Sequence, residues 1–328
     1  MTFPYGKAPL WILVVTGCAG IAIVAGRWSA QTTNPDLVLV TFARQHVPFY
    51  EKAIEEFERQ HGVAVEVQLV GMQALTSRLQ SAMLAGTEVP DLVELEKGMM
   101  GYFTRGPLED VGFVDLTDRL REEGLFSEIV RSRFSLWSTR DRTFALPHDV
   151  HPVMLGYRRD IVESLGIDVG KIKTWDDFVK IGRQITADTD GDGVVDRYAI
   201  DLPAANPDVL NVLILQRGGG LFDESGRVIF DSEVVADTIC WYVRQMTGLE
   251  RISFSAGWGQ TLSKVMLDGL VVFYFTPDWR TRQYEIDAPG IAGKMALMPL
   301  PAWEEGGRVT STWGGSGLAI TKACPEPE

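Results

Sequence analysis

The stretch LVLVTFARQHVPFYEKAIEEFERQHGVAVEVQLV, residues 37–70, decides the fold. Leu37 to Thr41 form a short continuous apolar run, the pattern of a strand buried on both faces. PFYEKAIEEFERQHG then spaces Phe49, Ala53, Ile54 and Phe57 for a helix, with Pro48 near its start and Gly62 as its stop. VAVEVQLV alternates through Val63, Val65, Val67 and Leu69, a second strand. MQALTSRLQSAMLAG follows with Leu75, Leu79 and Met83 on one stripe and Gly86 ending it, before the buried-looking DLVEL. Strand, helix, strand, helix, strand is the order of a parallel sheet flanked by helices. Ligands of such sheets sit beyond the carboxyl ends of the strands. Phe42 to His46 and Glu94 to Gly98 are therefore the first candidate ligand loops.

Composition narrows the function. The 328 residues, 45% hydrophobic, suffice for one large core or two moderate ones. A net charge of −13, with acids scattered along the chain, argues against nucleic acid, whose phosphates need a basic face. The first 35 residues read as a signal peptide or membrane anchor. Leu10 to Ala25 carries no charge and is bounded by Lys7 and Arg27. It falls short of the ~20 residues of a comfortable membrane-spanning helix and exceeds many signal-peptide cores. Cys18 in VTGC has the form of a lipidation box, although Ile21 to Ala25 continue the apolar core beyond it. Each reading places the remaining chain in the periplasm or outside the cell. With Cys240 and Cys324 the only other cysteines, no disulfide framework is expected.

A second αβ region begins after FALPHDVHPVMLGYRRDI. Thr174 with Asp177 forms an expected helix cap, followed by the stripe Phe178, Ile181 and Ile185. YAIDL and Val271 to Phe275 read as strands, and Val235, Ile239, Tyr242 and Met246 as a helix stripe. KMALMPLP reads as a connector, because Pro299 and Pro301 cannot sit in a central strand. The expected organisation is a first lobe of residues 36–147 and 298–328 and a second lobe of 148–297. The crossings fall near Leu146 to Pro152 and Met298 to Pro301.

In DTDGDGVVDRY, Asp188, Asp190, Asp192, Gly193, Val194 and Asp196 occupy positions 1, 3, 5, 6, 7 and 9 of an EF-hand-like loop. Position 12 is Ala199, not a bidentate Glu, and the exit reads as a strand, so a calcium sensor is excluded. A structural Ca²⁺ clip through Asp188, Asp190, Asp192, Asp196 and the Val194 carbonyl is expected, since four close carboxylates repel one another without a cation. Trp258 in AGWGQ, Trp279 in TPDWR and Trp313 in STWGGSG lie beside turn residues, and indole faces stack on the C–H faces of sugar rings. HDVH, residues 148–151, suggests a metal, but Pro147 and Pro152 keep a regular helix from presenting both rings. Hydrogen bonding at a cleft or hinge is the expected use. No P-loop occurs, and WGGSG misses G-x-S-x-G because Leu318 takes the last Gly place.

Taken in order, these stretches resemble the extracellular solute-binding proteins of ABC importers, the sugar-binding family that includes maltose-binding protein. TFARQHVPFYEKAIEEFERQHGVAVEV is similar to that family's opening strand, ligand loop and helix, and VPDLVEL to its Pro-Asp strand entry. FALPHDVHPVMLGYRRDIVESLGI with KTWDDF resembles its hinge crossing, and DGDGVVDRYAI, RGGGLFDESGRVIFDS, APGIAGKMALMPLP and TSTWGGSGLAITK complete the series. The resemblance implies a two-lobed α/β fold of periplasmic-binding-protein type II, each lobe a mainly parallel sheet. It implies no catalysis and a monomer that closes on a sugar or oligosaccharide and delivers it to permease subunits. The implied ligand residues are Arg44, His46, Glu94, Glu96, Asp149, His151, Trp258, Trp279, Trp313 and Gly314. Trp279 and Trp313 would stack on a sugar ring; Arg44, Glu94 and Asp149 would bind its hydroxyls. The family continues with helices after the GLAITK-like strand, whereas this chain ends at ACPEPE, which implies a shortened C-terminus and uncovered apolar surface on the first lobe. Two rival readings are an exported glycoside hydrolase or lyase and a membrane-anchored sugar sensor.

Overall fold

In a computed structural model, residues 35–223 and 226–325 are described. The expected signal peptide or anchor lies outside them. No helix among the described residues is long and apolar enough to cross a membrane.

The opening stretch folds as its pattern requires. Strand β1 (Leu37–Thr41), helix α1 (Val47–His61) and strand β2 (Val65–Leu69) follow in order, with β1 and β2 parallel and Leu39 opposite Val67. Helix α2 (Met72–Ala85) leads to β3 (Leu92–Glu96), parallel to β1 on its other edge. Gly62 and Gly86 end their helices in the left-handed conformation, with φ of 70° and 62°. Helix α3 (Lys97–Phe103) begins directly at the end of β3. Further along lie β4 (Leu146–Pro147), β5 (Val153–Arg158), α4 (Trp175–Ile185), β6 (Tyr198–Asp201), α5 (Asp208–Gln216), α6 (Glu233–Met246), β7 (Ser253–Phe254), β8 (Val271–Pro277), α7 (Asp278–Asp287), β9 (Met295–Met298) and β10 (Ser316–Ile320).

Two five-stranded sheets result, ordered β2-β1-β3-β10-β4 and β9-β5-β8-β6-β7. Each is mixed rather than mainly parallel. β10 runs antiparallel to β3 and β4, and β5 antiparallel to β8 and β9. The physical reason is the path of the chain: strands entering a lobe from the other lobe arrive against the direction of that lobe's own βα units. Each sheet has its own apolar core. Val93, Leu95, Phe113 and Trp137 fill the first lobe, and Trp175, Phe178, Phe273 and Phe275 the second. Gly317 of β10 is required by this packing, because a Cβ there would stand 2.7 Å from the Trp137 ring.

Helix α4 carries its expected cap: Asp177 N donates to Thr174 Oγ1 at 3.2 Å and Thr174 N donates to Asp177 Oδ2 at 3.1 Å. Phe178 and Ile185 are buried as the stripe requires. Helix α1 differs. None of its residues is buried, and Phe49 is 74% exposed although it belongs to the apolar stripe. Leu84 of α2 is exposed as well.

Two boundaries need correction. MALM is a strand, β9, at the edge of the second sheet, where Pro299 and Pro301 fall just beyond its last ladder residue. Residues 299–310 remain with the second lobe. Gln216 Nε2 donates to Pro301 O at 2.8 Å and to Arg308 O at 2.7 Å, and Ala302 N donates to Lys173 O at 2.9 Å. The return crossing is therefore at Ser311 to Ser316, not Met298 to Pro301. It runs antiparallel beside the first crossing: Val153 N donates to Ser311 O at 3.0 Å and Trp313 N to His151 O at 3.1 Å.

Candidate functional site

The two crossings carry the candidate residues in a continuous chain of contacts. On the first-lobe side, Glu94 lies within β3, which runs on to Glu96, rather than in the loop after it, and its side chain is fully buried. Buried carboxylates need partners, and Glu94 has three. Thr41 Oγ1, at the end of β1, donates to Oε2; His46 Nδ1 donates to Oε1 at 2.6 Å; His148 Nε2 lies 3.4 Å from the same oxygen. Burial pushes the Glu94 carboxyl up, but the hydrogen bonds from His148, His46 and Thr41 together outweigh it and hold the pKa at about 2. Tyr50, from the first turns of α1, places its hydroxyl 3.2 Å from His148 Nε2 and packs edge-on against the rings of His46 and His148.

At the crossing itself, Asp149 accepts from Ser316 N through both oxygens, at 2.9 and 2.8 Å, and from Arg133 Nη2 at 3.3 Å. His151 Nε2 donates to Asp149 Oδ2 at 2.9 Å and Nδ1 to Asp278 Oδ1 at 2.7 Å. A carboxylate oxygen at each nitrogen favours the protonated ring. Burial opposes that charge, but Asp149 and Asp278 prevail and raise the His151 pKa. The Asp149 carboxyl is lowered, its burial outweighed by His151 and Ser316. His151 thus ties the first crossing to the N-terminus of α7.

The second-lobe side is aromatic. Trp258 and Trp279 are near-parallel at 6.3 Å and 14°, and Trp313 meets both edge-on at 5.9 and 5.8 Å. The Arg280 guanidinium, itself only 2% exposed, lies 4.5 Å from the Trp258 ring centre and 5.0 Å from that of Trp313. Trp279 Nε1 donates to Trp313 O at 3.3 Å. Gly314, with φ of +97°, lets the backbone pass: a Cβ there would stand 3.1 Å from His151 Cδ2 and 3.4 Å from Trp279 Nε1.

The expected residues therefore separate into three groups. His46, Glu94, Asp149, His151, Trp258, Trp279 and Gly314 stand together around the crossings. Trp313 stands there too but is 4% exposed, its ring taken up by its two tryptophan neighbours and Arg280, so the stacking faces that reach solvent belong to Trp258 and Trp279. Glu96 is spent otherwise: it caps α3, accepting from Gly98 N at 2.6 Å, and burial raises its pKa. Arg44 is exposed in the loop after β1. Thr41, Tyr50, His148, Asp278 and Arg280 were not among the expected ligand residues. For His148, Asp278 and Arg280 the signals were present, in HDVH and in TPDWR, but the partners lie outside each motif, as with Asp278 and His151, 127 residues apart. A surface groove of the second lobe, about 460 Å³ and lined by Pro203, Leu210, Tyr242 and Met246 among others, includes none of these residues and no charged group.

In the aspartate loop, Asp188, Asp190 and Asp196 bring carboxylate oxygens within 4.8 Å of one another. Asp188 accepts from Gly191 N at 2.7 Å and Gly193 N at 2.8 Å, which lowers its pKa. Asp192 turns to accept from Val194 N at 2.7 Å.

Comparison with known proteins places the chain in a family. The chain is 26% identical over 301 residues to an arabinooligosaccharide-binding protein of Halalkalibacterium halodurans, covering 89% of this chain and spanning 65% of that relative's length. Its fold matches an ABC transporter solute-binding protein of Thermotoga lettingae bound to α-D-tagatose, with a TM-score of 0.68 and 21% identity over 89% of this chain and 74% of the other. It also matches the maltose/maltodextrin-binding domain of Bdellovibrio bacteriovorus bound to maltotriose, with a TM-score of 0.66 and 18% identity over 88% and 72% of the two chains. The model of the family of bacterial extracellular solute-binding proteins matches residues 43–328, and the chain belongs to that family.

Proposed function

We propose that this chain captures a sugar or oligosaccharide between its lobes by hinge closure and presents it to the permease of an ABC importer, outside the cytoplasmic membrane. The carrying observation is the pairing of two unlike surfaces at one pair of crossings: charged hydrogen-bonding groups around Glu94 on one side and the Trp258–Trp279 faces on the other. Sugars present hydroxyl edges and apolar C–H faces, and this pairing answers both. Closure follows when one ligand contacts both lobes, since contacts made only in the closed state shift the equilibrium toward it. The name of the Halalkalibacterium halodurans relative makes arabino-oligosaccharides the first ligands to try.

Calorimetric titration with a panel of arabino-, malto- and galacto-oligosaccharides tests the reading. A single-site isotherm for at least one, with the sugar recovered intact, is expected. Heat from none would refute it, and cleavage of the sugar would favour the rival reading of a glycoside hydrolase or lyase.

The aspartate loop is proposed to bind Ca²⁺ as a structural clip, supported by the three gathered carboxylates. Calcium raising the melting temperature, and EDTA reversing it, is the expected result; an unchanged melting curve removes the clip.

A further inference from the structure

His148 and His151 of HDVH do not face a common ion, since His151 is engaged by Asp149 and Asp278. His148 instead meets two residues remote in sequence. His46, Glu94 and His148 each offer one ligand atom within 4.8 Å of the others, and Glu94 Oε1 lies 2.6 Å from His46 Nδ1 and 3.4 Å from His148 Nε2. We propose that His46, His148 and Glu94 form a binding site for a divalent transition-metal ion of the zinc class.

The donor set is that of three-ligand zinc sites, two imidazoles and one carboxylate, with the fourth position open. Metal bonds of ~2.0–2.2 Å in a tetrahedron hold ligand atoms about 3.3 Å apart. His148 Nε2 and Glu94 Oε1 stand at 3.4 Å, already at that spacing. His46 Nδ1 and Glu94 Oε1 are closer, at 2.6 Å, because a proton lies between them. Metal replaces that proton, which leaves to solvent, and the pair opens by about 0.7 Å. The opening falls on the partner that can move: the His46 side chain is 18% exposed, while Glu94 is fully buried.

The support around the ligands has the form metal sites need. Thr41 Oγ1 holds Glu94 Oε2, leaving Oε1 to bind, and Thr41 Oγ1 in turn accepts from Ala43 N at 3.0 Å. Tyr50 packs edge-on against the two imidazoles, and its hydroxyl, 3.2 Å from His148 Nε2, turns away when that nitrogen binds the ion. The three ligands come from the loop after β1, from β3 and from the first crossing, so a bound ion ties the strand ends of the first lobe to the hinge. Imidazole nitrogen selects zinc, cobalt, nickel or copper over calcium, which separates this site from the oxygen-only aspartate loop.

Titration of the full chain with Co²⁺ in the absence of sugar, after EDTA treatment and dialysis, tests the site. The expected result is one equivalent bound with the strong visible absorption of four-coordinate cobalt carrying nitrogen ligands, displaced by Zn²⁺. His46→Gln and His148→Gln should each weaken binding at least about tenfold. A wild-type spectrum without those bands overturns the proposal, whatever the variants do. So does a spectrum that persists undiminished in the double variant. The ion would occupy His46 and Glu94, which also face the proposed sugar site, so sugar capture is tested separately, by the calorimetric panel on metal-free protein.

Discussion

The two sides of the crossings solve recognition differently. On the first lobe, Glu94 is a buried charge whose lone pairs are already claimed by Thr41, His46 and His148. On the second, Trp258 and Trp279 offer flat apolar faces, and the Arg280 guanidinium lies against the Trp258 ring, buried. A hydrogen-bonded carboxylate is directional and costly to disturb. An indole face tolerates sliding. In the proposed capture the first lobe would fix orientation and the second would contribute contact area.

The comparison breaks hardest at Glu94. Glu94→Ala leaves the buried Thr41 hydroxyl without its acceptor and should lower stability by about 1–3 kcal/mol. With its lone pairs already claimed, Glu94 acts on a sugar through the His46 and His148 imidazoles it positions, and losing that positioning should lower affinity about ten- to hundredfold. Chemical denaturation and calorimetry read the two effects. Equal affinity in the variant would mean that the carboxylate only shapes the first lobe.

Trp279→Ala tests the other side. Loss of one stacking face should weaken binding by up to about tenfold, with little change in preference among sugars of the same linkage. A sharp change in preference would show that the second lobe orients as well.

The smallest effect lies at the joint between them. The folded pKa of His151 is raised above its unfolded value, so its contribution to stability is complete below about pH 6.5 and is lost as pH rises through the folded pKa. Melting temperature should decline on the alkaline side, at roughly 2–4 °C per kcal/mol, and His151→Gln should flatten that decline. Parallel curves for the two proteins would contradict the ion-pair reading.

Legibility in the sequence followed the range of the interaction. The residues from Leu37 to Glu96 declare their strands and helices because each element is set by its own periodicity and its own cap. Thr174 with Asp177 is the same kind of signal. KMALMPLP was misread for a physical reason: its prolines exclude a central strand, but β9 is an edge strand that ends before them. The stripe of α1 is amphipathic, yet periodicity cannot say whether anything covers it. At the site, loops beyond the strands pointed to His46 and Glu94. The partnership of His148 with His46 and Glu94, and the burial of Trp313 beneath its neighbours, depend on how two lobes meet. No local pattern encodes that.

Small-angle scattering of the chain with and without a saturating oligosaccharide identified by calorimetry tests the central claim most directly. Closure on a shared ligand predicts a smaller radius of gyration in the bound state. A bound sugar with an unchanged radius would mean that one lobe does the binding alone.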